Sequence, residues 1–137
     1  MQYYRDTTHA SVPETYTHSQ EAKNPLCGDD ITLYASLEEG KVRRIGYEGK
    51  GCSISLAASS MLCTAVEGLP LDKAKELVEA YLGMLEEEAK EAEFPNYPYL
   101  EAMRAVKKYP GRLACARLAW ETFAGILKEY TSANAES

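Results

Sequence analysis

A chain of 137 residues and 15.2 kDa, 45% apolar and 26% charged, has the length and composition of one domain with its own core. It fits neither two ordinary domains nor a fibre nor a wholly disordered chain. Fifteen basic against twenty-one acidic side chains leave a net charge of -6, which argues against a broad cationic surface for nucleic acid or anionic membrane.

No apolar run approaches the roughly 18 to 20 residues of a membrane span, and Met1 to Gln20 lacks the apolar stretch of an export signal. A cytoplasmic protein is therefore expected, with its four cysteines free for metals or catalysis and not paired as disulfides. Residues 1–23 are rich in threonine and serine and poor in aliphatics, and read as a flexible or loosely docked N-terminal arm. Residues 24–130 hold the folded domain, and 131–137 read as a polar tail.

Within the domain, Ile31, Leu33, Ala35 and Leu37 alternate with Thr32, Tyr34 and Ser36, the period of a half-buried strand. Glu38-Glu39-Gly40-Lys41 supplies a turn, so Val42 to Glu48 is predicted to return antiparallel, with Ile45 and Tyr47 on one face. Gly49-Lys50-Gly51-Cys52 breaks that pattern, and Ser53 or Ser55 is placed to cap a helix running to Gly68. Pro70 and Asp72 open a second helix with Ala74, Leu77, Val78, Tyr81 and Leu85 on one stripe. Its acidic end, Glu86 to Glu93, reads as a solvated face, closed by Phe94-Pro95-Asn96-Tyr97-Pro98. A short helix is predicted over Tyr99 to Lys108. Beyond Pro110-Gly111, Leu113, Ala116, Trp120, Phe123 and Leu127 recur at threes and fours, marking a last helix with Trp120 as a core anchor.

The cysteines stand at 27, 52, 63 and 115 with no Cys-x-x-Cys pair, which argues against a zinc ribbon or a thioredoxin-type site. Cys27 lies in a loop before the first predicted strand, Cys52 just ahead of a helix and Cys115 in the first turns of the last helix. Helix N-termini carry a partial positive charge that suits an anionic sulfur. These three sulfurs with the Asp29 carboxylate make a four-ligand set suited to zinc or an iron-sulfur cluster, although cysteine is also a common small core residue. Cys63, about three turns into its helix, reads as core packing. His9 and His18 lie in the polar arm and read as solvent-facing.

Taken together, Asn24-Pro25-Leu26-Cys27-Gly28-Asp29, then Gly49-Lys50-Gly51-Cys52-Ser53-Ile54-Ser55, then Arg112-Leu113-Ala114-Cys115-Ala116 resemble the three motifs of the iron-sulfur assembly proteins of the IscU, SufU and NifU N-terminal group. The likeness runs in order from about Asn24 to Leu127. It is closer to SufU than to IscU. Ala114 stands where IscU-type proteins carry a histidine, Tyr109-Pro110-Gly111-Arg112 stands in place of the Leu-Pro-Pro-Val-Lys chaperone-recognition stretch, and the segment from Tyr97 to Tyr109 resembles the SufU insertion.

The resemblance implies an α+β fold, a small antiparallel sheet of about three strands packed with about four to five helices. It implies Zn2+ held by Cys27, Asp29, Cys52 and Cys115, or alternatively iron or a [2Fe-2S] cluster. It also implies a SufS-like, pyridoxal-phosphate-dependent cysteine desulfurase as partner, with a downstream iron-sulfur scaffold or apo-acceptor. Cys27 matches the sulfur acceptor, and Arg112 is the candidate for orienting the incoming anionic sulfur. The activity implied is that of a sulfurtransferase-type carrier. A scaffold that assembles and transfers a [2Fe-2S] cluster is the alternative, and a structural zinc-binding interaction domain a further one.

Overall fold

The computed structural model describes residues 11–25, 28–86 and 98–135. Three antiparallel strands, β1 (His18–Asn24), β2 (Asp29–Glu38) and β3 (Lys41–Lys50), form one sheet in the order β1-β2-β3. Three α-helices follow, α1 (Ser53–Val66), α2 (Leu71–Met84) and α3 (Pro110–Ala135), with a 3-10 helix over Pro98–Lys108 before the last. The α+β class expected from the sequence is the class observed. Among the described residues no helix is long and apolar enough to cross a membrane.

The β2–β3 hairpin follows its sequence closely. Glu38 pairs with Lys41 around a two-residue loop, and both loop residues have positive φ, 55° at Glu39 and 75° at Gly40. That is what the twist of a tight hairpin demands, and glycine meets it without steric cost. Ile31, Leu33, Ala35 and Leu37 are all buried, while Thr32 and Tyr34 face the partly open side of the sheet.

On β3 the inward residues change parity, from Val42 to Ile45 and Tyr47. The register explains the change: Ser36 opposes Arg44 but Leu37 opposes Val42, so Arg43 is an extra residue that shifts the strand to its other face. Simple alternation cannot show such a bulge.

Two segments extend regular structure beyond the sequence-based boundaries. Strand β1, His18–Asn24, has all but its last residue in the stretch read from composition as an arm, and pairs with β2 from His18 opposite Ala35 to Asn24 opposite Asp29. It is an edge strand with six of its seven residues exposed or only half-buried, hence its polar sequence. At the other end α3 runs through Ala135, past Thr131 where a tail was expected. Adding residues to an established helix needs no new nucleus, so the helix outlasts its apolar stripe.

The helices cover the inward face of the sheet, with α3 against β1 and β2, and α1 between β3 and α3. Helix α1 is buried on most sides, and its Ala57-Ala58-Ser59-Ser60 run is small enough to permit close packing. Helix α2 buries the expected stripe of Ala74, Leu77, Val78 and Tyr81, continued by Leu85. In the segment Pro98–Lys108, Leu100, Met103 and Val106 are buried at an interval of three, the repeat of a 3-10 helix, where an α-helix would rotate each further round.

Trp120 ties the helices together. Its ring stacks on Tyr81 with centroids 3.8 Å apart and planes 15° from parallel, and its Nε1 donates to the Ala58 carbonyl at 3.0 Å. The Tyr81 hydroxyl in turn donates to the Ala116 carbonyl at 2.9 Å, and its burial pushes the phenol pKa up. Cys63 is fully buried in the same core, as its position in the helix suggested; burial, then the nearby Glu67 charge, raises its thiol pKa and keeps it neutral.

Candidate metal centre

At one end of the sheet β1 finishes, β2 begins, and β3 hands over to α1, while the second turn of α3 lies over the same point. Asn24 and Asp29 oppose each other in register, so the loop between them leaves and re-enters the sheet here. Cys27 and Leu26, within that loop, lie outside the described residues.

Asp29 is the first residue of β2 and turns its side chain inward, leaving it 2% exposed. Oδ1 accepts hydrogen bonds from the Cys52 backbone N–H at 2.8 Å and from Ser55 Oγ at 3.0 Å. Oδ2 is buried with no hydrogen-bond partner. A carboxylate clamped by one oxygen and bare at the other is aimed, since buried acceptors are nearly always satisfied.

The glycines before Cys52 make this approach feasible. Gly49 has φ of +127°, and a Cβ there would be driven into the Asp30 carbonyl and lie 2.9 Å from Ile31 Cα. At Gly51 a Cβ would collide with Ser55 Oγ and come within 2.7 Å of Asp29 Oδ1. The chain can lie against the β2 backbone at 49, and pass beside the Asp29 carboxylate at 51, only without a side chain at either point.

Cys52 itself is the N-cap of α1, where serine at 53 or 55 was expected. Its Sγ accepts the Ser55 backbone N–H at 3.4 Å, in the role an oxygen usually fills. Ser55 instead links the strand to the helix, its hydroxyl reaching both Asp29 Oδ1 and, at 3.1 Å, the Cys52 carbonyl. Cys115, in the second turn of α3, is fully buried, and Asn24 Nδ2 donates to its Sγ at 3.6 Å.

One ligand atom each of Asp29, Cys52 and Cys115 lies within 4.8 Å of the others. Ligands around a tetrahedral zinc, with Zn–S of about 2.3 Å, stand about 3.5 to 4 Å apart, so small side-chain movements suffice to close the set. Two sulfurs beside a buried carboxyl with one unpartnered oxygen form an environment that a soft divalent cation would complete. The donor set therefore fits a metal.

Three of the four metal ligands expected from the sequence thus converge. Arg112 lies one turn ahead of Cys115, exposed, with its backbone N–H on the Tyr109 carbonyl at 2.8 Å. His18 is not in this cluster: its Nδ1 is 2.7 Å from Thr17 Oγ1 and its ring meets Tyr130 edge-on with centroids 5.7 Å apart. His9 lies outside the described residues. Sequence reasoning cast Ser55 only as a candidate helix cap and gave Asn24 no role of its own. The available signals were a hydroxyl three residues after a capping cysteine, and a carboxamide opening the loop motif.

A family model described as the NifU-like N terminal domain matches residues 1–134. The chain is 36% identical over 115 residues to the iron-sulfur cluster assembly scaffold protein IscU of Thermotoga maritima, covering 80% of this chain and 76% of that protein. It is 33% identical over 110 residues to the zinc-dependent sulfurtransferase SufU of Bacillus subtilis, covering 80% and 74%. It superposes on the crystal structure of FiSufU from Fervidobacterium islandicum AW-1 with a TM-score of 0.81 and 28% identity, over 88% of each chain.

Proposed function

The chain belongs to the NifU-like N-terminal domain family of iron-sulfur cluster scaffold and sulfur-transfer proteins, and from that premise we propose that it is a zinc-dependent sulfur acceptor working with a cysteine desulfurase. The observation that carries this reading is the bare, buried Asp29 Oδ2 beside the sulfurs of Cys52 and Cys115. Cys27 completes the set as fourth ligand and as sulfur acceptor, on the strength of its place in the Asn24-to-Asp29 motif.

Bound zinc would keep its sulfur ligands deprotonated at neutral pH without entering redox chemistry of its own. The protein's own groups do the rest. Asp29 is held by Cys52 N–H and Ser55 Oγ, so it stays in place when another ligand leaves. The Cys27 thiolate attacks the outer sulfur of the desulfurase persulfide, forming a new S–S bond. The old S–S bond breaks, and its electron pair departs on the desulfurase cysteine as a thiolate. Arg112 sits one helical turn before Cys115, where its guanidinium can draw in the anionic sulfur.

The decisive experiment mixes the desulfurase and cysteine with the Cys27→Ser variant. Stimulated sulfide release is expected to fall to the rate of the desulfurase alone, while zinc content stays near one per chain. Unchanged stimulation would remove Cys27 from this role. The scaffold reading, favoured by the name of the Thermotoga relative, uses the same ligands. It predicts that anaerobic reconstitution yields a [2Fe-2S] cluster that passes intact to an apo-acceptor. A purely structural zinc domain predicts that no desulfurase responds.

A further inference from the structure

Asn24 closes β1, is 9% exposed, and stands opposite Asp29 in the sheet register. Its backbone therefore fixes one end of the loop that carries Cys27. Its side chain reaches a different element: Nδ2 donates to Cys115 Sγ on α3, across 91 residues of sequence. A buried carboxamide directed at a sulfur is rewarded chiefly when that sulfur is an anion, because hydrogen bonds to charged partners are about twice as strong as neutral ones.

The donated hydrogen also changes what the sulfur can do. Nucleophilic attack needs an accessible lone pair, and Cys115 Sγ is fully enclosed with an N–H resting on it. We propose that Asn24 is a positioning residue that holds the Cys115 sulfur as a retained ligand and keeps it from competing with Cys27 for the incoming sulfur. The inference rests on the sulfur-acceptor reading above and names what separates its two outermost cysteines in sequence.

The test uses the zinc-loaded chain with Asn24→Leu, which keeps the same branched heavy-atom skeleton but lacks the donor, and with Asn24→Ala. Three readouts are taken: zinc capture by a chelating dye, iodoacetamide labelling of each cysteine followed by peptide mass spectrometry, and the persulfide position after incubation with desulfurase and cysteine. Loss of an outer hydrogen bond to a metal ligand should speed zinc release by about 10- to 100-fold. Labelling of Cys115 should rise with it while core Cys63 stays unlabelled, and part of the persulfide should move from Cys27 to Cys115.

Wild-type zinc release and Cys115 labelling in the folded Asn24→Leu protein would overturn the proposal. So would a parallel rise at Cys63, which would mark general loosening. If Asn24→Ala does not fold, Asn24→Leu alone decides. The acceptor reading fails separately: should Cys27→Ser still stimulate sulfide release while Asn24→Leu frees Cys115, positioning by Asn24 stands and the assignment of Cys27 falls.

Discussion

Trp120→Ala is expected to destabilise the protein by about 3 to 5 kcal/mol, the range for removing a large aromatic from a packed core. Trp120 is fully buried, its ring lies flat on Tyr81, and its indole N–H satisfies the Ala58 carbonyl. Alanine deletes all of this and leaves a cavity between α1, α2 and α3. At this chain length the midpoint of thermal unfolding should fall by about 10 °C or more. Trp120→Phe keeps a ring on Tyr81 and loses chiefly the N–H donor, a change of about 1 to 2 kcal/mol. Thermal unfolding by circular dichroism separates the two, and equal losses would show that the ring contact contributes little.

The same residue bears on the site. Ala58 lies six positions after Cys52 on α1, and Trp120 five after Cys115 on α3, so the bond between them spaces the helices that present the two sulfurs. Trp120→Ala should therefore weaken metal binding even in the folded fraction, measurable by competition with a chelating dye.

For Asp29 the sign of the effect depends on the metal. Without a cation, Oδ2 is a buried oxygen with no partner, and such groups cost roughly 1 to 3 kcal/mol. Asp29→Asn keeps an acceptor for Cys52 N–H and Ser55 Oγ and replaces the bare carboxylate oxygen by a neutral amide NH2. The zinc-free variant should be within about 1 kcal/mol of wild type or slightly more stable. With zinc the order reverses: loss of the anionic ligand should weaken binding by about 100-fold, equivalent to about 3 kcal/mol at saturating metal. Unfolding midpoints with and without chelator give both numbers. A variant destabilised equally in the two conditions would make Asp29 a structural residue only.

The elements legible in the sequence are those whose burial has a simple period. The β2 alternation, the α2 stripe from Ala74 to Leu85 and the α3 stripe through Trp120 each bury one face, and each is recognisable because hydrophobic spacing matches backbone repeat. Strand β1 is hidden because it is held by pairing with β2 and not by an apolar face; in His18–Asn24 only Asn24 is fully inside. The bulge at Arg43 is hidden because an extra residue looks like a continued strand until the partner's register is known.

The candidate site divides in the same way. Asp29, Cys52 and Cys115 belong to motifs, and side chains near element ends are those that topology can bring together. Their supporting contacts were not legible. Ser55 to Asp29 spans 26 residues and Asn24 to Cys115 spans 91, and neither partner carries a local pattern that points to the other. Cys52 as a helix cap was obscured by two serines that ordinarily take that position better.

In the proposed function Cys27, Asp29, Cys52 and Cys115 share one ion. X-ray absorption at the zinc edge of the purified protein reads the ligand shell without reference to activity. Three sulfurs at about 2.3 Å and one oxygen at about 2.0 Å are predicted, with the oxygen contribution lost or replaced in Asp29→Ala. A shell of nitrogens and oxygens alone, or one unaltered when Asp29 or Cys115 is replaced, would contradict it.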